Sequence, residues 1–374
     1  MDVPRFRRLL TAWHAQARRD LPWRSKGPRD PYAVWVAEVM LQQTRVEVAA
    51  PYYERWLKRF PTVAALAEAE LEEVLAAWSG LGYYRRARSL HAAARQVMAS
   101  HGGVLPADRD ALRGLPGFGP YTAAAVASIA YGLPAAAVDG NVERVLARVA
   151  GTRRSGGSLK RQVTALADDL VPARRAGDWN EALMDLGATV CTPVAPRCGS
   201  CPLQGLCQAR ARGIQHKIPM RSPAHARARA LATARTQVVH VAVVQAGAHV
   251  LLQKNPEHGL LAGMWMPLHD ADPARLATRL QRVGALVREP TRRVIHQFSH
   301  RRWDMRVSHV RQATTTAMTG HAGAGVATAW VPLARLADWA VPAAGAKALR
   351  AVTRPHRNRV ERPASRRQPV EQPA

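Results

Sequence analysis

The sequence predicts a multidomain chain, with an all-α domain over residues 1–215 and a smaller α/β domain over residues 237–352. Apolar residues recur at helical spacing through the first domain, and no segment before residue 230 has the pattern of a convincing strand. The pattern then changes to short β-branched runs. Residues 216–236 are basic and indicate a linker, and residues 353–374 have the composition of a disordered tail.

Both regions divide further into predicted elements. After a first helix around Phe6 and Trp13, helices are predicted near residues 32–45, 51–59, 62–67, 70–78, 84–100, 108–113, 121–131, 158–170 and 178–190. In the second region, strands are predicted at 237–244, 249–253, 293–295, 303–310 and 328–331, with helices near 273–283 and 343–352. Proline- and glycine-rich stretches separate most of these elements.

The segment from Leu115 to Val145 predicts a helix, a glycine hairpin and a second helix. Gly117 and Gly119 form a tight turn in which backbone amides, unshielded by a Cβ atom, can approach a phosphate at the positive end of the following helix. Asp139 follows an apolar run at a position where a helix N-cap is expected. These residues alone leave two readings open, a phosphate holder tethered to a carboxylate or an ordinary turn with a cap.

A carboxylate also interrupts the apolar helix predicted at 32–45. Glu38 lies off the apolar stripe of that helix, and Gln42 and Arg45 follow it at i+4 and i+7, so the three polar groups are expected to share one face. A solvated surface glutamate is the alternative interpretation. The loop Gly80–Tyr84 carries two aromatics beside several arginines, a pattern that suits base stacking next to phosphates or a buried aromatic corner.

All four cysteines of the chain fall within 17 residues, as a C-x6-C-x2-C-x5-C array formed by Cys191, Cys198, Cys201 and Cys207. Confining every cysteine to one short array is typical of a metal site and not of a disulfide framework. The spacing by itself leaves a structural zinc site and an iron–sulfur cluster open.

The composition favours a polyanionic partner. The 374 residues include 54 Lys and Arg against 27 Asp and Glu, which gives a formal net charge of +27 and a pI of about 11.4. Such an excess favours nucleic acid, because neutralised phosphates release their condensed counterions. An anionic membrane is the competitor, but no run of 18 apolar residues exists and the N-terminal segment is charged. We therefore expect a soluble cytoplasmic protein that does not bind membranes.

Five motifs and the cysteine array occur together in one order. They are EVMLQQT at 38–44, GLGYY at 80–84, LPGFGPYTA at 115–123, VDGNV at 138–142 and NEALMDLGA at 180–188. This set resembles the MutY family of adenine DNA glycosylases, within the helix-hairpin-helix, endonuclease III-like superfamily. The resemblance covers nearly all of the first 215 residues and, more loosely, 237–350. It implies a helix-hairpin-helix glycosylase domain in which the four cysteines of the loop 191–207 hold one 4Fe-4S cluster.

The resemblance also implies roles for the two carboxylates. Breaking an N-glycosidic bond develops positive charge on the sugar and negative charge on the departing base, so a proton donor and a carboxylate should flank the bond. Glu38 matches the general acid that protonates adenine, and Asp139 matches the ionised group that stabilises the sugar cation. Tyr121 and Asn141 match residues that hydrogen-bond around Asp139 and the nucleophile. Endonuclease III-like relatives carry a Schiff-base lysine where this chain has Tyr121, which implies a monofunctional enzyme.

Further residues match the family's contacts to DNA and adenine. Extruding the base from the duplex requires a wedge that fills the vacated stack. Gln43 and Tyr83 match the wedge, and Thr44 and Leu81 match contacts beside the opposing base. The adenine pocket is matched by Trp23, Arg24, Leu41, Glu181 and Met184, and other DNA contacts by Gln42, Gly117 and Gly119.

The second domain resembles the nudix-related domain of the same family. The stretch 251–267 resembles its signature, with Met266 in place of an acidic residue, and no helix of magnesium-binding carboxylates follows. We therefore expect recognition without hydrolysis. Phe298–His300 matches the loop that reads 8-oxoguanine, with Ser299 as the hydrogen-bonding residue.

The implied function is removal of adenine from double-stranded DNA where it is mispaired with 8-oxoguanine or guanine, by a monomeric enzyme. Two alternatives remain at this point. One is an endonuclease III-like glycosylase that acts on oxidised pyrimidines, and the other is an iron–sulfur DNA-binding protein without catalysis.

Overall fold

The fold was analysed in a computed structural model that describes residues 1–24, 29–220, 236–286, 289–290, 292–298, 301–312 and 327–353. Most of the predicted linker and all but one residue of the predicted tail, as well as Ser299, lie outside these ranges. Within them, every helix is too short or too polar to span a lipid bilayer.

The first region is entirely helical over its described residues, as predicted. Its helices are α1 (Val3–Ala17), α2 (Pro31–Leu41), α3 (Val46–Arg59), α4 (Val63–Glu68), α5 (Leu71–Ala77), α6 (Arg85–His101), α7 (Arg109–Arg113), α8 (Pro120–Tyr131), α9 (Gly140–Val149), α10 (Gly156–Leu170), α11 (Ala176–Thr189) and α12 (Gln208–Ala211). Local signals explain their ends, since Asp2, Asp30, Thr62, Asp108 and Asp139 each accept a backbone N–H at a helix start. Gly102 and Gly132 end α6 and α8 in the left-handed conformation.

In the part of the second region that the structure describes, a six-stranded mixed sheet carries one α-helix on each face. The strands are β1 (Thr236–Ala246), β2 (His249–Lys254), β3 (Trp265–Asp270), β4 (Arg292–Gln297), β5 (Arg302–Gln312) and β6 (Thr328–Pro332), and the helices are α13 (Pro273–Arg282) and α14 (Ala343–Thr353). The spatial order is β4-β5-β1-β3-β2-β6, and β1 pairs with β5 in parallel while the other pairs are antiparallel. The fold class predicted from the sequence is confirmed.

Alternating side chains of β1 separate the two layers of the second region. Ala242 and Val244 pack with Leu276 and Leu280 of α13, whereas Val241 belongs to the core that includes α14. This is the period of two that a strand buried on both faces requires.

Two predicted elements need correction. Strand β3 was missed, because WMPLHD contains a proline and lacks the β-branched run that marked the other strands, and pairing with β1 and β2 on both sides determines its conformation. The helix predicted at 32–45 ends at Leu41, and Gln43 has a left-handed φ of 57°. Gln42 and Arg45 therefore do not continue the helical face of Glu38.

Two close contacts at glycines pack α11 against α8 and α9. A Cβ atom at Gly187 of α11 would lie 2.6 Å from the Cβ of Asn141 in α9, and one at Gly177 would lie 2.7 Å from the carbonyl oxygen of Ser128 in α8. Close approach of α11 to both helices thus depends on the absence of side chains at these positions.

We expect Gly187→Ala to destabilise the protein by about 1–3 kcal/mol, because the added methyl group must push α11 away from α9. The free energy of unfolding, measured by urea titration, checks this. Gly119→Ala is the control, since no atom lies within 4 Å of its added Cβ and Gly119 has a φ of −81°. Equal stability of the two variants would contradict the packing argument.

Candidate active site

Glu38 is buried in the middle of α2. This helix is apolar on nearly every side, and Val34–Met40 are all buried. The Glu38 side chain is only 6% exposed, and its Oε2 accepts a hydrogen bond of 2.5 Å from the hydroxyl group of Tyr121 on α8. The surface interpretation of Glu38 is therefore wrong. The hairpin helix and the helix of Glu38 are joined through this hydrogen bond.

Asp139 caps the start of α9. Its Oδ1 accepts the backbone N–H of Val142 at 2.7 Å, and its Oδ2 accepts the side-chain N–H of Asn141 at 2.9 Å. The predicted contact between Asn141 and Asp139 is present. Tyr121, which was expected to hydrogen-bond around Asp139, instead donates to Glu38.

Both carboxylates line one open cavity of about 1280 Å³. The other predicted site residues that line it are Trp23, Arg24, Leu41, Gln42, Gln43, Thr44, Tyr83, Gly117, Tyr121, Asn141, Glu181 and Met184. Leu81 is buried and is not among the lining residues, because it packs in the core beneath the loop. Gly119 is likewise absent from the lining, and Lys160 of α10, to which no role was given, is part of it.

The two carboxyl groups have different surroundings. Burial raises the pKa of Glu38 to about 7, with further increases from Asp139 and Glu181 and an opposing effect of the Tyr121 hydrogen bond. Burial also raises the pKa of Asp139, although hydrogen bonds from Val142 and Asn141 favour its ionised form. Burial holds the pKa of Tyr121 well above its usual value, so this hydroxyl group remains a hydrogen-bond donor. Glu38 is thus suited to hold a proton, and the hydrogen bonds that Asp139 accepts oppose the effect of burial on its carboxylate.

A buried ion network forms the wall of the cavity behind Glu38. Arg24 donates to both carboxylate oxygens of the fully buried Asp185, at 2.6 and 3.0 Å. Arg29 binds Glu181 through two nitrogens, and the Nε of Arg24 lies 3.5 Å from the same carboxylate. Two predicted pocket residues, Arg24 and Glu181, are therefore held in position by charged partners, and sequence analysis did not identify Asp185 as one of them.

The two predicted wedge residues share an unusual backbone. Gln43 and Tyr83 have φ values of 57° and 52°, a left-handed backbone conformation that residues other than glycine seldom adopt. Gln43 is exposed, and Tyr83 is 46% exposed although it is a large aromatic residue. Surrounding contacts must maintain this conformation, and Arg86 supplies them.

Arg86 joins the C-terminus of α2 to the loop Gly80–Tyr84, which we call the wedge loop because it carries the predicted wedge residue Tyr83. One guanidinium nitrogen donates to the carbonyl groups of Val39, Met40 and Gln42 at 2.8, 3.0 and 2.5 Å. The other nitrogen donates to the carbonyl group of Gly82 at 3.2 Å and to the Thr44 hydroxyl group at the same distance. Helix ends leave unpaired carbonyl groups, so Arg86 satisfies those that follow Glu38 directly. Sequence reasoning gave Arg86 no role, since an arginine after an aromatic loop has many possible partners.

The hairpin glycines serve different purposes. Gly117 has a φ of 79°, and an added Cβ would lie 2.6 Å from the Cβ of Ser89, so its lack of a side chain serves close packing against α6. Gly119 faces open space and directly precedes Pro120, the first residue of α8. Only Gly119 fits the expectation of backbone left bare toward an outside partner.

The four cysteines line one small cavity, together with Arg148 and Arg197. Burial raises the pKa of Cys201 to about 11, and the other three thiols add to this rise because they are close enough to repel its thiolate. Arg148 is only 2% exposed, and one of its nitrogens lies 3.3 Å from the Sγ of Cys191. Four converging sulfurs beside a buried cation suit a group that accepts thiolates. Among the described residues, no set of three or more His, Cys, Asp or Glu side chains could hold a single metal ion.

Arg144 connects the cysteine loop with Asn141, next to Asp139 at the start of α9. It donates to the carbonyl oxygens of Cys191 and Gly187, both at 2.8 Å, and to the side-chain oxygen of Asn141 at 2.9 Å. Because Asn141 in turn donates to Asp139, a continuous chain of hydrogen bonds leads from Cys191 to the second carboxylate.

In the second domain Phe298, the residue before Ser299, packs against two aromatic rings. The Phe298 ring lies 4.4 Å from that of His296 and 5.1 Å from that of Trp303, measured between ring centroids. Met266, at the position where an acidic residue was expected, is fully buried beneath α14. Placement of Ser299 lies outside the described residues.

Comparison with known proteins matches each of these parts. Residues 36–173 match the HhH-GPD superfamily of base excision DNA repair proteins, residues 191–207 match the iron–sulfur binding domain of endonuclease III, and residues 239–351 match the NUDIX domain. A helical domain with two carboxylates in one cavity, an iron–sulfur loop and a NUDIX-like sheet together define a DNA glycosylase of base-excision repair.

Proteins of similar sequence assign the chain to one family within this class of DNA glycosylases. The chain is 38% identical over 357 residues to the adenine DNA glycosylase of Homo sapiens and 39% identical over 355 residues to that of Rattus norvegicus. These matches cover 80% of this chain and 65% and 69% of the two relatives, so the chain spans about two thirds of their length. A thermostable thymine-DNA glycosylase of known structure is 31% identical, with a TM-score of 0.51 over 56% of this chain and 97% of that one. The chain belongs to the adenine DNA glycosylase family.

The burial of Glu38 generates a prediction about stability. The folded protein binds the Glu38 proton more tightly than the unfolded chain does, because the pKa rises from its ordinary value of 4.5 to about 7 on folding. Stability should therefore fall as the pH rises through this interval. We expect Glu38→Gln to stabilise the protein by on the order of 3 kcal/mol above pH 7 and to have little effect at about pH 4.5.

Urea titrations of Glu38→Gln at several pH values test this. Glu47→Gln is the control, because Glu47 lines the same cavity but is exposed to solvent. If the stability difference between Glu38→Gln and the wild type does not depend on pH, burial does not raise the pKa of Glu38.

Proposed function

We propose that the protein removes adenine from double-stranded DNA where adenine is mispaired with 8-oxoguanine or guanine, and that it leaves the strand uncut. The observation that carries this proposal is the pairing, in one cavity, of a buried carboxylic acid with a second carboxylate held by hydrogen bonds. Membership in the adenine DNA glycosylase family supports the choice of base.

In this mechanism Glu38 protonates the departing adenine. Tyr121 donates to Oε2 of Glu38, so Oε1 is left to carry the transferable proton. The raised pKa of Glu38 lets it hold that proton at neutral pH. Protonation of the base removes the negative charge that would otherwise develop on it as the bond breaks.

Asp139 stabilises the positive charge of the sugar. The N–H groups of Val142 and Asn141 occupy both of its oxygens and orient the carboxylate before the reaction. Its place at the N-terminus of α9 further favours the ionised form. No reorganisation of this group is then needed when the sugar cation forms.

The proposal that the strand stays uncut is based on Tyr121, which follows the glycine hairpin. Tyr121 occupies the position at which the bifunctional relatives place a lysine, and its hydroxyl group is engaged with Glu38. Among the described residues that line the cavity, Lys160 is the one lysine, so it is the group to test for any residual Schiff-base chemistry.

The cysteine loop is proposed to hold one 4Fe-4S cluster in a chain that acts as a monomer. The four thiols would bind the cluster as thiolates, and its role would be to keep the loop in place. Arg148 would offset part of the added negative charge through its contact with Cys191.

The function is tested with a duplex that contains adenine opposite 8-oxoguanine. We expect a break at adenine only after hot alkali, and a rate that falls as the pH rises above about 7, because Glu38 then loses its proton. Glu38→Gln and Asp139→Asn should each abolish the break, a loss of at least about 100-fold. Lack of any alkali-dependent break in the wild-type protein would refute the proposal. A break without alkali that disappears in Lys160→Gln would refute only the monofunctional part.

Purified protein is expected to contain iron and acid-labile sulfide in equal amounts and to absorb visible light. Replacing Cys198 by Ser should lower the iron content, because a serine oxygen is a poor substitute for a thiolate ligand. Elemental analysis is the measurement, and stoichiometric zinc without sulfide would contradict the cluster assignment.

A further inference from the structure

The second domain contacts the first domain on the segment that leads into the wedge loop. Four charged side chains and one tryptophan form this contact, and we call them the interdomain latch: Glu72, Arg88, Lys254, Glu257 and Trp265. Glu72 lies on α5 and Arg88 on α6, on either side of Tyr83, while the other three residues belong to β2, β3 and the loop between them.

Glu72 binds two residues of the second domain. Its Oε1 accepts the indole N–H of Trp265, and its Oε2 lies 3.2 Å from the Nζ of Lys254. Lys254 also lies 3.8 Å from the carboxylate of Glu257. The strand end that carries Lys254 is thus fixed to α5 by charge and by a directional hydrogen bond.

Arg88 holds the loop between β2 and β3. Its Nη2 donates to the carbonyl group of Ala262 at 2.8 Å and to Glu257 Oε2 at 3.4 Å. A Cβ atom added at Gly263 would lie 2.6 Å from the same nitrogen, so the loop backbone presses directly against the guanidinium group. This contact involves backbone geometry and does not depend on charge alone.

The same segment carries the wedge residue. Tyr83 lies two residues before the first residue of α6 and has the left-handed φ of 52°, and Arg88 is the fourth residue of that helix. One contact near Tyr83 adds to the latch, since the Ser79 hydroxyl group donates to the carbonyl group of Val341. A shift of the second domain therefore acts directly on the segment that sets the position of Tyr83.

The latch contributes little to overall stability. The side chains of Glu72 and Lys254 are 41% and 30% exposed, and ion pairs of this exposure stabilise a fold only weakly. The four charged side chains of the latch nevertheless balance, two acidic against two basic groups. Their contacts constrain the orientation of the second domain relative to α5 and α6. Such a contact suits the transmission of a change of position between two sites.

We propose that the interdomain latch couples recognition of the base opposite adenine, by the second domain, to the placement of Tyr83 in the DNA stack. Glu72 and Arg88 are then positioning residues for discrimination between 8-oxoguanine and guanine. The inference depends on the proposed function and adds to it a route from the recognition domain to the wedge.

The test compares the wild-type protein with Glu72→Gln and Arg88→Ala in single-turnover excision of adenine opposite 8-oxoguanine and opposite guanine. We expect the ratio of the two rates to fall by at least about fivefold in each variant, the lower end of typical coupling between sites. Excision opposite guanine and the melting temperature should stay close to wild type, because neither residue touches the catalytic cavity.

Glu73→Gln is the matched control, since Glu73 is the next residue of α5 but pairs with Arg59 of the first domain. Its ratio should equal that of the wild type. An unchanged ratio in both latch variants would overturn the inference, as would equal losses on both substrates accompanied by a lower melting temperature. Failure of the wild-type protein to release adenine from either duplex would refute the proposed function instead, so the two failures are distinguishable.

Discussion

Burial of the Glu38 carboxyl group on an apolar helix is the constraint on which the rest of the structure depends. An ionised carboxylate in such surroundings is costly unless it is compensated, so the group keeps its proton near neutral pH. The neighbouring elements maintain this state: Tyr121 donates one hydrogen bond, and the nearby Arg24 is engaged with Asp185.

Buried or half-buried arginines act as connectors throughout the first domain. Arg86, Arg144 and Arg148 each donate to several backbone carbonyl groups from different segments. A planar guanidinium group with five donors can satisfy several carbonyl groups at once, and lysine cannot reproduce that geometry. Part of the basic composition therefore serves internal structure, and the high net charge overstates how much of the surface is available to nucleic acid.

Separate sets of hydrogen bonds connect the two carboxylates to two different loops. Glu38 is tied through Arg86 to the wedge loop, and Asp139 is tied through Asn141 and Arg144 to the cysteine loop. Each carboxylate is therefore supported by hydrogen bonds that lead to a different loop. This arrangement explains how two acids from distant parts of the chain are held in one cavity.

Much of the fold followed from the sequence alone, since helix periodicity, aspartate caps and the clustered cysteines are local signals that act within one or two turns of chain. The candidate acids Glu38 and Asp139 were found in the same way, from motifs a few residues long. Tertiary structure decided what local signals do not encode. It determined that Tyr121 pairs with Glu38, that Leu81 is buried, that α2 ends at Leu41 and that WMPLHD is a strand. It also brought Glu72 to Trp265, a partner 193 residues away. Each of these outcomes depends on which surfaces pack together, and packing is a property of the whole chain.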